Sequence, residues 1–140
     1  DVFGPGRIEL YKAHANEFNY KGIIPFGKAQ EVMSSYDLVV VPSYFDGWGV
    51  VVNESILAGV PVIVSKAAGA SDLVDRFKCG LVVNKQDSLS YGKALMDIVD
   101  DSSYLEILRQ NSQSAREMIL PEISAEIGVA KLNLIWKNVR

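Results

Sequence analysis

Cysteine is almost missing from this chain: Cys79 is the only one in 140 residues. That excludes an internal disulfide framework, leaves too few thiols for a zinc ribbon, and points to a reducing compartment. Histidine is equally scarce, with His14 alone, so a metal or nucleophilic centre built on imidazole has little to draw on. Long apolar runs are absent too; those at 38–41 and 81–83 stop far short of the roughly 18 residues a membrane helix requires. Nor is there an excess of basic charge. The 14 Lys and Arg are outnumbered by 17 Asp and Glu, for a formal net charge of -3, and they are scattered, which argues against a nucleic-acid surface or a polybasic membrane patch. No signal peptide heads the sequence. Asp1-Val2-Phe3-Gly4 reads instead as the end of a strand running into a turn, so the expectation is a piece of a longer protein.

What is present is ordinary globular composition, 49% hydrophobic and 22% charged, and the expectation is one domain over 1–140. A domain of this size buries roughly 68–70% of the surface of its unfolded chain, so it needs no staple to build a core. No repeat or linker divides it, and short β-branched runs alternate with stretches of helical period, the pattern of α/β proteins. After Gly4-Pro5-Gly6, Ile8, Tyr11, Ala15 and Phe18 mark one face of a helix over 7–18. A strand follows at 21–24, then helical spacing at Ala29, Val32, Met33 and Tyr36. The apolar run 37–42 reads as a buried parallel strand. The pattern continues with a helix over 50–58, a strand over 60–64, a short helix through Arg76 and a strand over 80–83. Three helices over 89–99, 104–119 and 123–139 are expected to pack over the sheet.

In an open parallel sheet, ligands sit beyond the carboxyl ends of the strands. Three glycine-bearing loops fall there: Gly4-Pro5-Gly6, Asp46 to Gly49, and Gly69 to Ser71. Backbone N–H groups opening the helix at Val50 lack helical partners and lie at a positive dipole end, which suits phosphate; as readily, such glycines only make tight connections. Asp46 and Glu54, eight positions apart, are both able to face one cleft. Carboxylates accept paired hydrogen bonds from vicinal hydroxyls, although Glu54 near a helix start and Asp46 before Gly47 also have plain structural uses. A dinucleotide fingerprint fails, since G-x-G-x-x-G needs glycine where Glu9 stands and no acidic residue closes a strand about 20 residues on. Trp48 suits ring stacking or loop anchoring, and neither Cys79 nor His14 is assigned a role.

The run DLVVVPSYFDGWGVVVNESILAGVPVIVS, followed by AAGASDLV and CGLVV, resembles the nucleotide-sugar-binding C-terminal half of retaining GT-B glycosyltransferases of the group 1, family 4 type. In that family a P-S strand end precedes E-G-F-G, a second Glu eight residues after the first, A-x-G-x-P-V, G-G-x-x-E and G-x-L-V. Here Asp46 replaces the first Glu, giving a D-G-W-G variant, and Ala70-Ser71-Asp72 replaces the usual G-x-E ending. The resemblance implies a Rossmann-like parallel sheet with helices on both faces, its first strand and helix missing. It further implies that Glu54 binds the ribose hydroxyls and that Asp46 reaches the transferred sugar, these two forming the catalytic pair. Gly49, Val50 and Val51 N–H groups would hold the diphosphate, Gly69 and Ala70 would line the sugar side, and the loop at 25–28 would meet the base.

The implied activity is transfer of a sugar from a UDP- or GDP-linked donor to a hydroxyl acceptor in polysaccharide, lipopolysaccharide or glycolipid synthesis, with no metal and no resident cofactor. The phosphate-gripping basic pair and the acceptor domain would lie upstream, leaving 1–140 catalytically incomplete. The implied location is cytoplasmic, at the inner membrane face in a longer protein. A non-catalytic nucleotide or sugar-nucleotide binding module of the same fold is the alternative. Aligned with a doubly wound 3-2-1-4-5-6 sheet, the chain supplies strands 2 to 6, so another polypeptide segment or a second copy is expected to fill the central gap.

Overall fold

The computed structural model describes residues 1–5, 8–84 and 87–123. Five strands alternate with helices: β1 (Val2–Phe3), α1 (Ile8–Ala13), β2 (Tyr20–Gly22), α2 (Ala29–Met33), β3 (Val39–Val41), α3 (Val50–Leu57), β4 (Val62–Ser65), α4 (Ser71–Phe77), β5 (Gly80–Val83), α5 (Ser88–Val99) and α6 (Ser102–Ile123). All pairing is parallel, in two separate ladders: β1 with β2, and β3-β4-β5. The interruption falls between β1 and β3, where the 3-2-1-4-5-6 order puts its central strand.

The three-stranded sheet carries the core because β4 is buried along its whole length. Alternation sends Val62 and Val64 to one face, where they meet Val52 and Ile56 of α3, Val74 of α4, and Ala115 and Ile119 of α6. Ile63 points to the other face and packs with Ala94 and Ile98 of α5 and Leu108 of α6. Each such aliphatic side chain contributes about 1.5–3 kcal/mol when fully buried. Helices therefore cover both faces, as expected. Polar contacts help to seat α6 beside β5: Ser112 Oγ donates to Cys79 O, and Asn111 Nδ2 donates to Lys78 O at 2.8 Å.

Several boundaries differ from those read off the sequence. The helix expected to reach residue 18 ends at Ala13, and Glu17 N–H instead closes a turn on His14 O at 2.9 Å. His14, assigned no role from the sequence, lies 3.2 Å from the Glu17 carboxylate. The strand expected at 60–64 starts at Val62 because Pro61 has no N–H for the ladder and Val60 N–H closes the end of α3 on Ser55 O. In β3 only Val41 is buried, and Val40 is exposed, because this strand borders the gap instead of lying between two partners. The helix expected to stop near residue 119 continues to Ile123, past Pro121. The rest of the helix expected at 123–139 falls outside the described residues.

Candidate functional site

The carboxyl ends of β3 and β4 deliver two loops that run side by side. Asp46 forms a parallel bridge with Ala68; Asp46 N–H donates to Ala67 O, Gly69 N–H to Asp46 O, and Ala70 N–H to Trp48 O. The crossing is too close for a side chain: a Cβ on Gly69 would stand 2.5 Å from Gly47 O. Glycine at 49 has a different cause. Its φ of 86° is the left-handed region, and from there the chain turns into α3.

Within this turn the Asp46 carboxylate faces inward. Its Oδ1 accepts the N–H of Trp48 at 3.2 Å and of Gly49 at 2.7 Å. Of the three N–H groups expected to hold a diphosphate, that of Gly49 is thus engaged by Asp46. Val50 and Val51 open the first turn of α3, where no preceding helical carbonyl can be reached, and both are exposed.

Three positions after Val51, on the same face of α3, stands Glu54. Both line a cavity of about 880 Å³ that includes the gap between the strands, walled by Val2 and Phe3 of β1 and Val39 and Val40 of β3; Glu54 and Val51 border it with Gly4 after β1, Pro42 after β3 and the Pro25–Phe26–Gly27 loop. Burial pushes the Glu54 carboxyl above its ordinary value, which fits a group held at a cavity wall. Asp46 is absent from that wall.

The residues named from the sequence therefore divide. Glu54, Val51 and the loop at 25–28 meet around one cavity, and Val50 adjoins it through the first turn of α3. Gly69 and Ala70 lie against the Asp46 loop; Ala70 is fully buried with its N–H committed, so it contributes backbone position. Gly6 of the first glycine loop lies outside the described residues. Trp48 is half exposed, as are Tyr44 and Phe45 to a greater degree. Cys79 is buried, and desolvation raises its thiol to about 11, where little nucleophilic thiolate forms near neutral pH. Among the described residues no cluster of three His, Cys, Asp or Glu side chains is placed to hold a metal, and no helix is long and apolar enough to cross a membrane. Sequence reasoning missed Tyr36, whose hydroxyl donates to Asp1 and whose ring meets Phe3 edge-on at 5.8 Å. The turn role that Asp46 before Gly47 offered in the sequence is the one its side chain fills, ahead of the N-cap Gly49.

Residues 9–116 match the family described as glycosyl transferases group 1. A D-inositol 3-phosphate glycosyltransferase of Corynebacterium jeikeium is 36% identical over 104 residues, covering 70% of this chain and 25% of that protein. The lipopolysaccharide glucosyltransferase WaaG of Escherichia coli is 26% identical over 135 residues, covering 90% of this chain and 36% of that protein. Among solved structures, a sucrose-phosphate synthase from Thermosynechococcus elongatus superposes with a TM-score of 0.75 at 24% identity, over 93% of this chain and 34% of its own. The structure of WaaG gives 0.72 at 23% identity, over 90% and 36%. This chain thus spans little more than a third, at most, of each of these proteins.

Proposed function

Because this chain belongs to the group 1 glycosyl transferases, we propose that it is the donor-binding domain of a glycosyltransferase that moves a sugar from a UDP- or GDP-linked donor to a hydroxyl acceptor with retention of anomeric configuration. The observation that carries this reading is that Glu54 and Val51 line the β1–β3 cavity together with Gly4 and Pro42, the residues that follow those strands, beside the open amides of α3. Glu54 binds the ribose diol, since a carboxylate accepts both hydroxyl protons. Val50 and Val51 N–H groups, at the positive end of the α3 dipole, hold the diphosphate and stabilise it as a leaving group. The loop at 25–28 meets the base, and Gly69 borders the sugar.

No resident cofactor or metal takes part in this scheme. Residues 1–140 form one domain of a larger two-domain enzyme, working in the cytoplasm on polysaccharide, lipopolysaccharide or glycolipid synthesis. A further polypeptide segment completes the sheet, and the acceptor site and a cationic grip on the phosphates come from outside 1–140. The direct test is calorimetric titration of the full-length protein with UDP, GDP and ADP, repeated with Glu54→Gln. A charge-assisted hydrogen bond contributes about 1.5–3 kcal/mol, so the variant is expected to lose about tenfold or more in nucleotide affinity. Parental affinity in the variant would remove Glu54 from the site.

A further inference from the structure

We propose that Asp46 is a positioning residue: its carboxylate locks the turn that presents the Val50 and Val51 amides, and it does not itself bind the transferred sugar. The proposal rests on the donor-site reading of α3 but departs from the sugar contact that the resemblance implies for this position. Asp46 Oδ1 accepts two successive N–H groups, Trp48 at 3.2 Å and Gly49 at 2.7 Å. Its own backbone is tied on both sides to the neighbouring loop, through Asp46 N–H to Ala67 O and Gly69 N–H to Asp46 O. The side chain is thus anchored at its root and held through Oδ1, and it is not on the cavity wall that holds Glu54.

Chain length explains why this acidic residue turns inward. An Asp carboxylate closes a compact ring onto N–H groups two and three residues ahead, the geometry of an Asx turn, here just ahead of the N-cap Gly49. Glutamate, one methylene longer, favours that ring far less. The lock fixes Gly49 in its left-handed conformation, and that conformation sets where the next two amides point. The lock also has an electrostatic consequence. A fixed negative charge already occupies the positive end of α3, where it competes with a phosphate for the same dipole.

These features predict an unusual order among substitutions. Asp46→Asn keeps an oxygen that accepts both N–H groups but removes the charge, so UDP or GDP affinity is expected to rise about two- to fivefold, the size of a helix-dipole charge effect. Affinity for the nucleotide sugar should rise by the same factor. Asp46→Ala and Asp46→Glu lose the lock, and both ligands should weaken together. Amide exchange followed by NMR supplies an independent readout: Trp48 and Gly49 should stay protected in Asp46→Asn and lose protection in Asp46→Ala. The measurements use the full-length protein, with calorimetry of the nucleotide and of its sugar conjugate for each variant. If Asp46→Asn spares the nucleotide and weakens only the nucleotide sugar, Asp46 is a sugar ligand and the proposal falls. If the parent protects Trp48 and Gly49 yet binds no nucleotide, the donor-site reading fails and Asp46 is a structural cap alone. If Asp46→Ala leaves those amides protected, the lock itself is refuted while the donor site stands.

Discussion

Glu54 couples protonation to both stability and binding. Burial raises its folded-state pKa above the unfolded value, so the proton is held more tightly in the folded chain. Its charged form is the disfavoured one: any cost is absent below the unfolded pKa and is fully felt above the folded pKa. Glu54→Gln should therefore leave the melting temperature at pH 7 equal to or above that of the parent. Nucleotide affinity should move the other way in the parent, falling as the pH drops through the raised pKa, because the protonated acid no longer accepts two hydroxyl protons. Calorimetry from pH 7 down to below the ordinary glutamate pKa of about 4.3 checks this, and a profile flat across that whole range would dissociate the carboxylate from binding. Two glycines provide a matched pair at the same scale. A Cβ on Gly80 would meet Val62 O at 1.9 Å, whereas one on Gly92, inside α5, meets nothing within 4 Å. Gly80→Ala should strongly destabilise the β4–β5 pairing, and Gly92→Ala should stabilise by about 0.5–1 kcal/mol through helix propensity. Denaturant melts of both variants give the comparison.

Among the helices, α5 illustrates how a local signal supports a core. Asp87 caps its amino end by accepting Ser90 N–H at 2.8 Å, and one turn and more further on Ala94 and Ile98 bury against Ile63 of β4. Removing the cap with Asp87→Ala should cost about 1 kcal/mol, while Asp87→Asn should cost little, a difference visible in urea midpoints. By contrast, the Arg109–Asp37 pair that ties α6 to the segment before β3 is solvent-exposed at 2.6 Å, and its loss should change stability by about 0–1 kcal/mol. Helix α3 is different again. It packs Val52 and Ile56 into the core while Val51 and Glu54 face the cavity, so one short element supplies both the floor of the fold and the wall of the site.

For the molecule as a whole, the gap between β1 and β3 is the main open question of assembly, and the backbone indicates what fills it. Val2 and Gly4 direct their N–H groups to Asn19 O and Gly22 O, and Val39 directs its own to Pro61 O. By alternation, Phe3 and Val40 direct theirs away from these partners and toward the gap. Tyr36 bonds Asp1 just ahead of β1 and lies three residues before β3, so both strands begin at the same end. A parallel strand fits between them, filling the part of the cavity walled by β1 and β3 and leaving its end beside Glu54. Hydrogen exchange tests this expectation. The Phe3 and Val40 amides should exchange fast in residues 1–140 alone and slowly in the full-length protein, with Val39 slow in both. Protection of all three in a monodisperse monomer of 1–140 would show that no outside segment is needed, and concentration-dependent protection would assign the role to a second copy.

The sequence by itself determined the alternation of strands and helices, the burial of the Val62–Ser65 run, the glycine loops at the strand ends and the family, because these rest on local periodicity and on residues close together in the chain. The thirty or so residues from Asp37 to Ser65 carry almost all of that information. Only the tertiary structure decided that Val40 lies at an open edge, since a short apolar strand reads the same whether it has one neighbour or two. It alone determined that Glu54 reaches a cavity wall with Val51, Pro25 and Phe26 while Asp46 turns into its own loop. An eight-residue spacing places both carboxylates near one helix, but the direction of each side chain is set by which N–H groups lie within its reach, and for Asp46 those belong to a turn held in place by a second loop some twenty residues further along the chain.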